Sequence, residues 1–225
     1  MNCIKNAKKL GEGVNGVLYR KNDVVIKNKK NKNDLEHKIQ AALYQVLPTM
    51  IIKPLGVNTC GNKLLYYMEF IDGDTMFNTP SSWTRENFNK IIRAIYRIKS
   101  VYPSFRHNDL HLNNIIVDKK NNVFIADFGF ANIRRPGFQN PKVTSGNYIA
   151  SDGIHEYNDP SYDIHLFINS LYLLGVPELQ RDIEKIFPKS YLGMNETSKI
   201  RNMRLKFGVD LSNFPSDDKI LNLFN

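Results

Sequence analysis

Cysteine and tryptophan are scarce in this sequence: 225 residues hold two Cys and one Trp. Cys3 and Cys60 are too few for a disulfide-stapled scaffold or a four-cysteine metal site, and they suit a reducing compartment. No apolar run approaches the roughly 20 residues that a membrane-spanning helix needs. The opening MNCIKNAKKL lacks the apolar core of a signal peptide. No repeat at periods of about 20–50 residues is visible, which argues against solenoids and propellers. A soluble, cytoplasmic protein with no membrane partner is expected. Acidic residues are also in the minority, 22 against 31 Lys and Arg, leaving a net charge of +9. The densest basic run is residues 27–32, KNKKNK. Such a surplus draws polyanions such as phosphates or nucleic acid, but a solvated lysine face explains it more simply and is preferred.

What is present suits a globular chain: 42% hydrophobic and 24% charged residues, enough for one large domain or two small lobes. Residues 8–27 read as two strands around a glycine turn, with Lys-Asn-Asp breaking the second. Residues 34–47 carry Leu35, Ile39, Ala42, Leu43 and Val46 at helical spacing, and Pro48 stops them. Two strand-like runs follow, IIKPLGV and KLLYYMEFI, and the polar stretch 73–82 reads as a linker. Thr84 is placed to cap a helix reaching about residue 101, with Phe88, Ile91, Ile92, Ile95 and Ile98 on one face. A polar loop, the strand IIVD, a turn at 120–122 and the strand VFIAD come next, and from about Ser161 the chain looks mainly helical. Sheet plus one helix, then mostly helix, predicts an α+β fold in two lobes, residues 1–70 and 71–225.

Three local patterns carry chemistry. In Gly11-Glu12-Gly13-Val14-Asn15-Gly16-Val17 the glycines let backbone N–H groups approach phosphates that a Cβ would obstruct. The run leads into a strand rather than a helix, which favours a flap over a nucleotide, although glycine turns between strands are common. Val24-Val25-Ile26-Lys27 ends an apolar strand on a lysine that could pair with phosphates. Glu36, turned off the buried stripe of the next helix, is available to hold it; a solvated lysine and a surface glutamate are the competing readings. The strongest segment is His107-Asn108-Asp109-Leu110-His111-Leu112-Asn113-Asn114, with Asp127-Phe128-Gly129 following 18 residues after Asp109. Phosphoryl transfer needs a carboxylate to orient the attacking hydroxyl and oxygen ligands for Mg²⁺. Asp109 suits the first task; Asn114 and Asp127 suit the second as metal ligands.

With these residues in order, the chain resembles the eukaryotic-type protein kinase superfamily from residue 8 to about 170. The family's set is a glycine loop, a strand lysine, H-R-D-L-x-x-x-N and D-F-G; here it reads GEGVNGV, VVIK, HNDLHLNN and DFG. The resemblance implies a two-lobed kinase fold with an antiparallel-sheet N-lobe and a shortened helical C-lobe. It implies an ion pair between Lys27 and Glu36, Met68 at the back of an adenine pocket, and hinge contacts from Glu69 and Ile71. Tyr148–Asp152 looks like a degenerate Y-L-A-P-E segment, Ser145 falls at the peptide-docking position, and Asp163 matches the aspartate that braces the catalytic loop.

The departures matter too. Asn108 stands where an arginine usually holds a phosphorylated activation segment, which argues against phosphate-gated activation. His111 stands where protein kinases acting on Ser or Thr carry lysine, and is closer to aminoglycoside and choline kinases. His107 and His111 sit four apart like a metal pair, but a packed scaffold role for His107 is preferred. The stretch after Asp163 is short, as in a minimal kinase of the sort compact viral genomes encode. An ATP- and Mg²⁺-dependent kinase of protein Ser or Thr is expected, monomeric and with no need of nucleic acid. A small-molecule kinase and a nucleotide-binding pseudokinase are the alternatives.

Overall fold

Turn residues divide the first sixty-odd positions into strands. In the computed structural model, the described residues are 4–13, 15–29, 35–144, 161–193 and 212–224. Strands β1 (Lys8–Gly13), β2 (Gly16–Lys21) and β3 (Val24–Lys29) form an antiparallel meander. Asn22 makes the β2–β3 turn in the left-handed region (φ 54°), where asparagine is among the most tolerant side chains. Strands β4 (Pro54–Cys60) and β5 (Lys63–Glu69) complete a five-stranded sheet in the order β1-β2-β3-β5-β4. Helix α1 (Glu36–Val46) lies between β3 and β4 in the chain and buries Ile39 and Leu43 completely.

A second sheet, β6 (Gly73–Thr75), β7 (Ile115–Asp118) and β8 (Val123–Ile125), is also antiparallel. Helix α2 (Arg85–Val101) has the Thr84 cap, whose Oγ accepts from the Asn87 amide at 3.1 Å, and it buries all five apolar residues expected on its face. Helices α3 (Pro141–Thr144), α4 (Ser161–Tyr172), α5 (Pro177–Ile186) and α6 (Asp217–Leu221) follow. One apolar cluster joins Ile39 and Leu43 of α1, Phe128, the α2 face, and Phe167 and Leu171 of α4. Helix α1 is therefore packed into the same core as Leu110 and Leu112 of the 107–114 loop. The α+β reading, an antiparallel-sheet first part and a mainly helical second part, holds among the described residues.

Three sequence readings are corrected. Residues 73–82 are not a free linker: 73–75 pair with 116–118, and Met76 is buried. A polar composition hides a pairing whose partner lies some forty residues on. The run from Ile51 begins its strand only at Pro54, Ile51 itself making a single parallel bridge to Ile125. Cys60, at the end of β4, is disulfide-bonded rather than a reduced thiol, which removes the argument for a reducing compartment. Among the described residues no helix is long and apolar enough to cross a membrane.

Candidate active site

Strand alternation places Lys27 and Lys29 on one face of β3, towards α1. The Lys27 ammonium donates to Glu36 Oε1 at 2.7 Å and to Asp127 Oδ1 at 2.7 Å. Burial alone would push this lysine's pKa down, but the charges of Asp127 and then Glu36 outweigh it and hold it well above the ordinary value. For Asp127 burial would raise the pKa; the Lys27 charge and hydrogen bond, helped by Lys29, bring it far below the ordinary carboxylate range instead. Both groups are charged at neutral pH. Glu36 lies on the buried face of α1 with Ile39, Gln40 and Leu43, not off it as its spacing had suggested. Its second oxygen takes the Lys29 ammonium, and Lys29 and Glu36 are each 1% exposed. The solvated-face reading of 27–32 thus fails at Lys27 and Lys29.

The glycine run forms the β1–β2 hairpin. Gly16 has φ +137°, and a Cβ there would meet the Asn28 carbonyl oxygen at 2.5 Å. Gly11 and Gly13 have nothing within 4 Å of a Cβ position, so the strand presents open backbone. Glu12 is exposed and pairs with Lys9, and Val14 lies outside the described residues. Val17 sits in β2 opposite Glu12, while the neighbouring Leu18 and Leu10 supply the hairpin's wall of the cleft. That cleft is a cavity of about 400 Å³, within the range of small-ligand sites. Leu10, Leu18, Val25, Ile52, Ile116 and Ala126 make it apolar at one end, Met68, Glu69 and Ile71 line it, and Lys27, Asn114 and Asp127 make its polar end.

The loop below is held by backbone bonds to one side chain. Asp163, fully buried on α4, accepts from the amides of His107 (2.8 Å) and Asn108 (2.9 Å). His107 donates from Nε2 to the Ala126 carbonyl at 3.1 Å and packs on Phe128, and burial lowers its pKa, so it stays neutral. That is the scaffold role preferred for it. Asn108 adopts φ 62° and gives its carboxamide to the Phe130 carbonyl. The Asn114 amide nitrogen reaches the Asp109 carbonyl (2.7 Å) and Asp109 Oδ2 (3.2 Å), and His111 Nε2 stands 3.6 Å from the same carboxylate. Asp127 sits in the left-handed region at φ 54°, its Oδ1 accepting from the Gly129 amide. Ser145 and Tyr148–Asp152 lie outside the described residues.

Sequence reasoning missed two contacts. One is Lys29. The other is Asn15, almost buried at the hairpin tip, whose Nδ2 reaches Asp127 Oδ1 at 3.4 Å over Gly129. A Cβ on Gly129 would meet the Asn15 side chain at 2.1 Å. The i,i+2 spacing of Lys27 and Lys29 in a strand was the available signal for the first; nothing local announced the second.

Comparison with known proteins agrees with this arrangement. The family model described as protein kinase domain matches residues 4–174. A protein of Acanthamoeba polyphaga mimivirus assigned as a serine/threonine-protein kinase is 28% identical over 204 residues, covering 74% of this chain and 42% of the relative. The carbon catabolite-derepressing protein kinase of Saccharomyces cerevisiae is 31% identical over 158 residues, 68% of this chain and 23% of the relative. Cysteine-rich receptor-like protein kinase 11 of Arabidopsis thaliana is 29% identical over 230 residues, 90% and 33% respectively. The chain thus spans less than half the length of these relatives. With the family model covering the glycine hairpin, Lys27, the 107–114 loop and Asp127 in one match, the chain belongs to the protein kinase family.

Proposed function

We propose that this chain is an ATP- and Mg²⁺-dependent kinase that phosphorylates serine or threonine hydroxyls of proteins, acting as a monomer and without nucleic acid. The single observation that carries the reading is the convergence of Lys27, Glu36 and Asp127, from β3, α1 and the 127–129 turn, at the polar end of an apolar cleft. The reading divides the chain into a nucleotide lobe, 1–70, and a catalytic lobe, 71–225. The adenine ring would lie between the apolar walls, with Met68 behind it and Glu69 and Ile71 at the hinge; Gly11–Val17, including Glu12, Val14 and Gly16, would cover the phosphates.

The donor set suits Mg²⁺. Asn114 commits its amide nitrogen to Asp109, leaving Oδ1 as a ligand atom, and Asp127 offers a carboxylate held ionised. Held there by Asn114 and Asp127, Mg²⁺ would supply positive charge to offset that of the phosphates. Lys27 would bind the α- and β-phosphates while Glu36 keeps it aimed. Asp109, fixed by Asn114, would orient the acceptor hydroxyl and receive its proton. Such positioning groups are each worth several kcal/mol of transition-state stabilisation.

His111, buried beside Asp109 and Asn114, favours a second reading, a small hydroxylated or amino acceptor. Transfer from γ-labelled ATP to basic proteins and acidic caseins, set against aminoglycosides and choline, separates the two. Asp109→Asn and Lys27→Ala should each lower transfer by about 10²–10⁴. Normal turnover in both overturns the assignment, and nucleotide binding with no transfer to any acceptor makes the chain a pseudokinase.

A further inference from the structure

We propose that Lys29 is a positioning residue of the phosphate site: by occupying the second oxygen of Glu36, it leaves the Lys27 charge uncancelled for an incoming polyphosphate. The inference rests on the kinase reading above. Lys29 is buried, on the same face of β3 as Lys27, and its ammonium bonds Glu36 Oε2 while Lys27 bonds Oε1. Stability does not account for it, because burying an ammonium with its partner generally gains little over a packed apolar side chain. Geometry does. With Oε2 taken by Lys29, Glu36 has one oxygen for Lys27, whose ammonium reaches out to Asp127 at the polar end of the cleft, where the phosphates would lie. With an apolar residue at position 29, Lys27 and Glu36 would cancel, and Glu36 would hold Lys27 with both oxygens. Lys29 acts through Glu36 and sets how strongly the cleft prefers a phosphorylated nucleoside over a bare one.

Adenosine and ADP differ in the phosphates alone, so their affinities for the full chain, measured by titration calorimetry, isolate this effect. Lys29→Met should weaken ADP about tenfold, the scale of one charge-assisted bond, and leave adenosine within about twofold. Lys29→Arg, which keeps the charge, should hold ADP within about threefold of the parent. Equal weakening of both ligands would mean a merely structural role, and no weakening of ADP would remove the role altogether; either overturns the proposal. Should Lys29→Met lose its cooperative melt, Lys29→Gln, a neutral donor to Glu36, gives the same reading. A parent chain that binds neither ligand overturns the kinase reading itself, and the role of Lys29 with it.

Discussion

At Gly16 the backbone takes a conformation that side chains rarely adopt, and the nearest carbonyl leaves no room for a Cβ. Gly16→Ala should therefore lower stability by about 1–3 kcal/mol. Gly11→Ala, in open space, should stay within about 0.5 kcal/mol. Urea melts of the two variants check the contrast, and equal losses would contradict it. The glycines look alike in the motif; their neighbours across the sheet separate them. The same holds for the lysines of 27–32. Lys27 was legible because it follows the apolar run Val24–Ile26 behind a glycine loop. Lys29 was not, because its burial depends on where α1 brings Glu36.

Among the elements, α2 was the easiest to read: its capping threonine and its apolar stripe are both local signals, and its expected face is the buried one. Thr84→Ala should cost about 1 kcal/mol, read as a fall in melting temperature of about 2–4 °C. The segment after Asp127 is held differently. Asn108 donates to the Phe130 carbonyl, and Asn140, also buried, donates to the Gly129 and Ala131 carbonyls. These anchors are neutral carboxamides on backbone oxygens, and they require no phosphate to be satisfied. Phosphatase-treated protein should accordingly keep its rate of transfer; a large loss would show that the segment depends on a phosphate after all. From sequence, Asn108 signalled only a missing arginine. That its carboxamide instead fastens the next loop needed the fold, since Asn108 and Phe130 lie 22 positions apart.

For the whole molecule, buried histidines contribute to the response to acid. His165 on α4 is enclosed by Phe187, Tyr191 and Phe214, and its Nε2 donates to the Tyr191 carbonyl. Burial pushes its pKa down to about 4, the hydrogen bond opposing only in part. The folded chain thus keeps this ring neutral while the unfolded chain protonates it near its ordinary value. Stability is complete above about pH 6.5, falls as pH drops towards 4 and then levels, a loss on the order of 3 kcal/mol. His107, lowered by burial as well, adds to the same limb. Denaturant melts between pH 7 and 4 should show the loss, and His165→Phe should shrink it; an unchanged limb would assign it elsewhere.

The sequence alone determined the order of the strands and helices apart from β6 and α3, the amphipathic face of α2, and the motif residues Lys27, Asp109, Asn114 and Asp127, because each is signalled by residues within a few positions of it. Tertiary structure decided what else meets across the chain: Lys29 with Glu36, Asn15 with Asp127, and residues 73–75 with β7. Those contacts join positions up to 112 residues apart. Local propensity says nothing of them, and spacing signalled only that Lys27 and Lys29 share a strand face. They follow from burying one shared core, which brings α1, the 127–129 turn and α4 together.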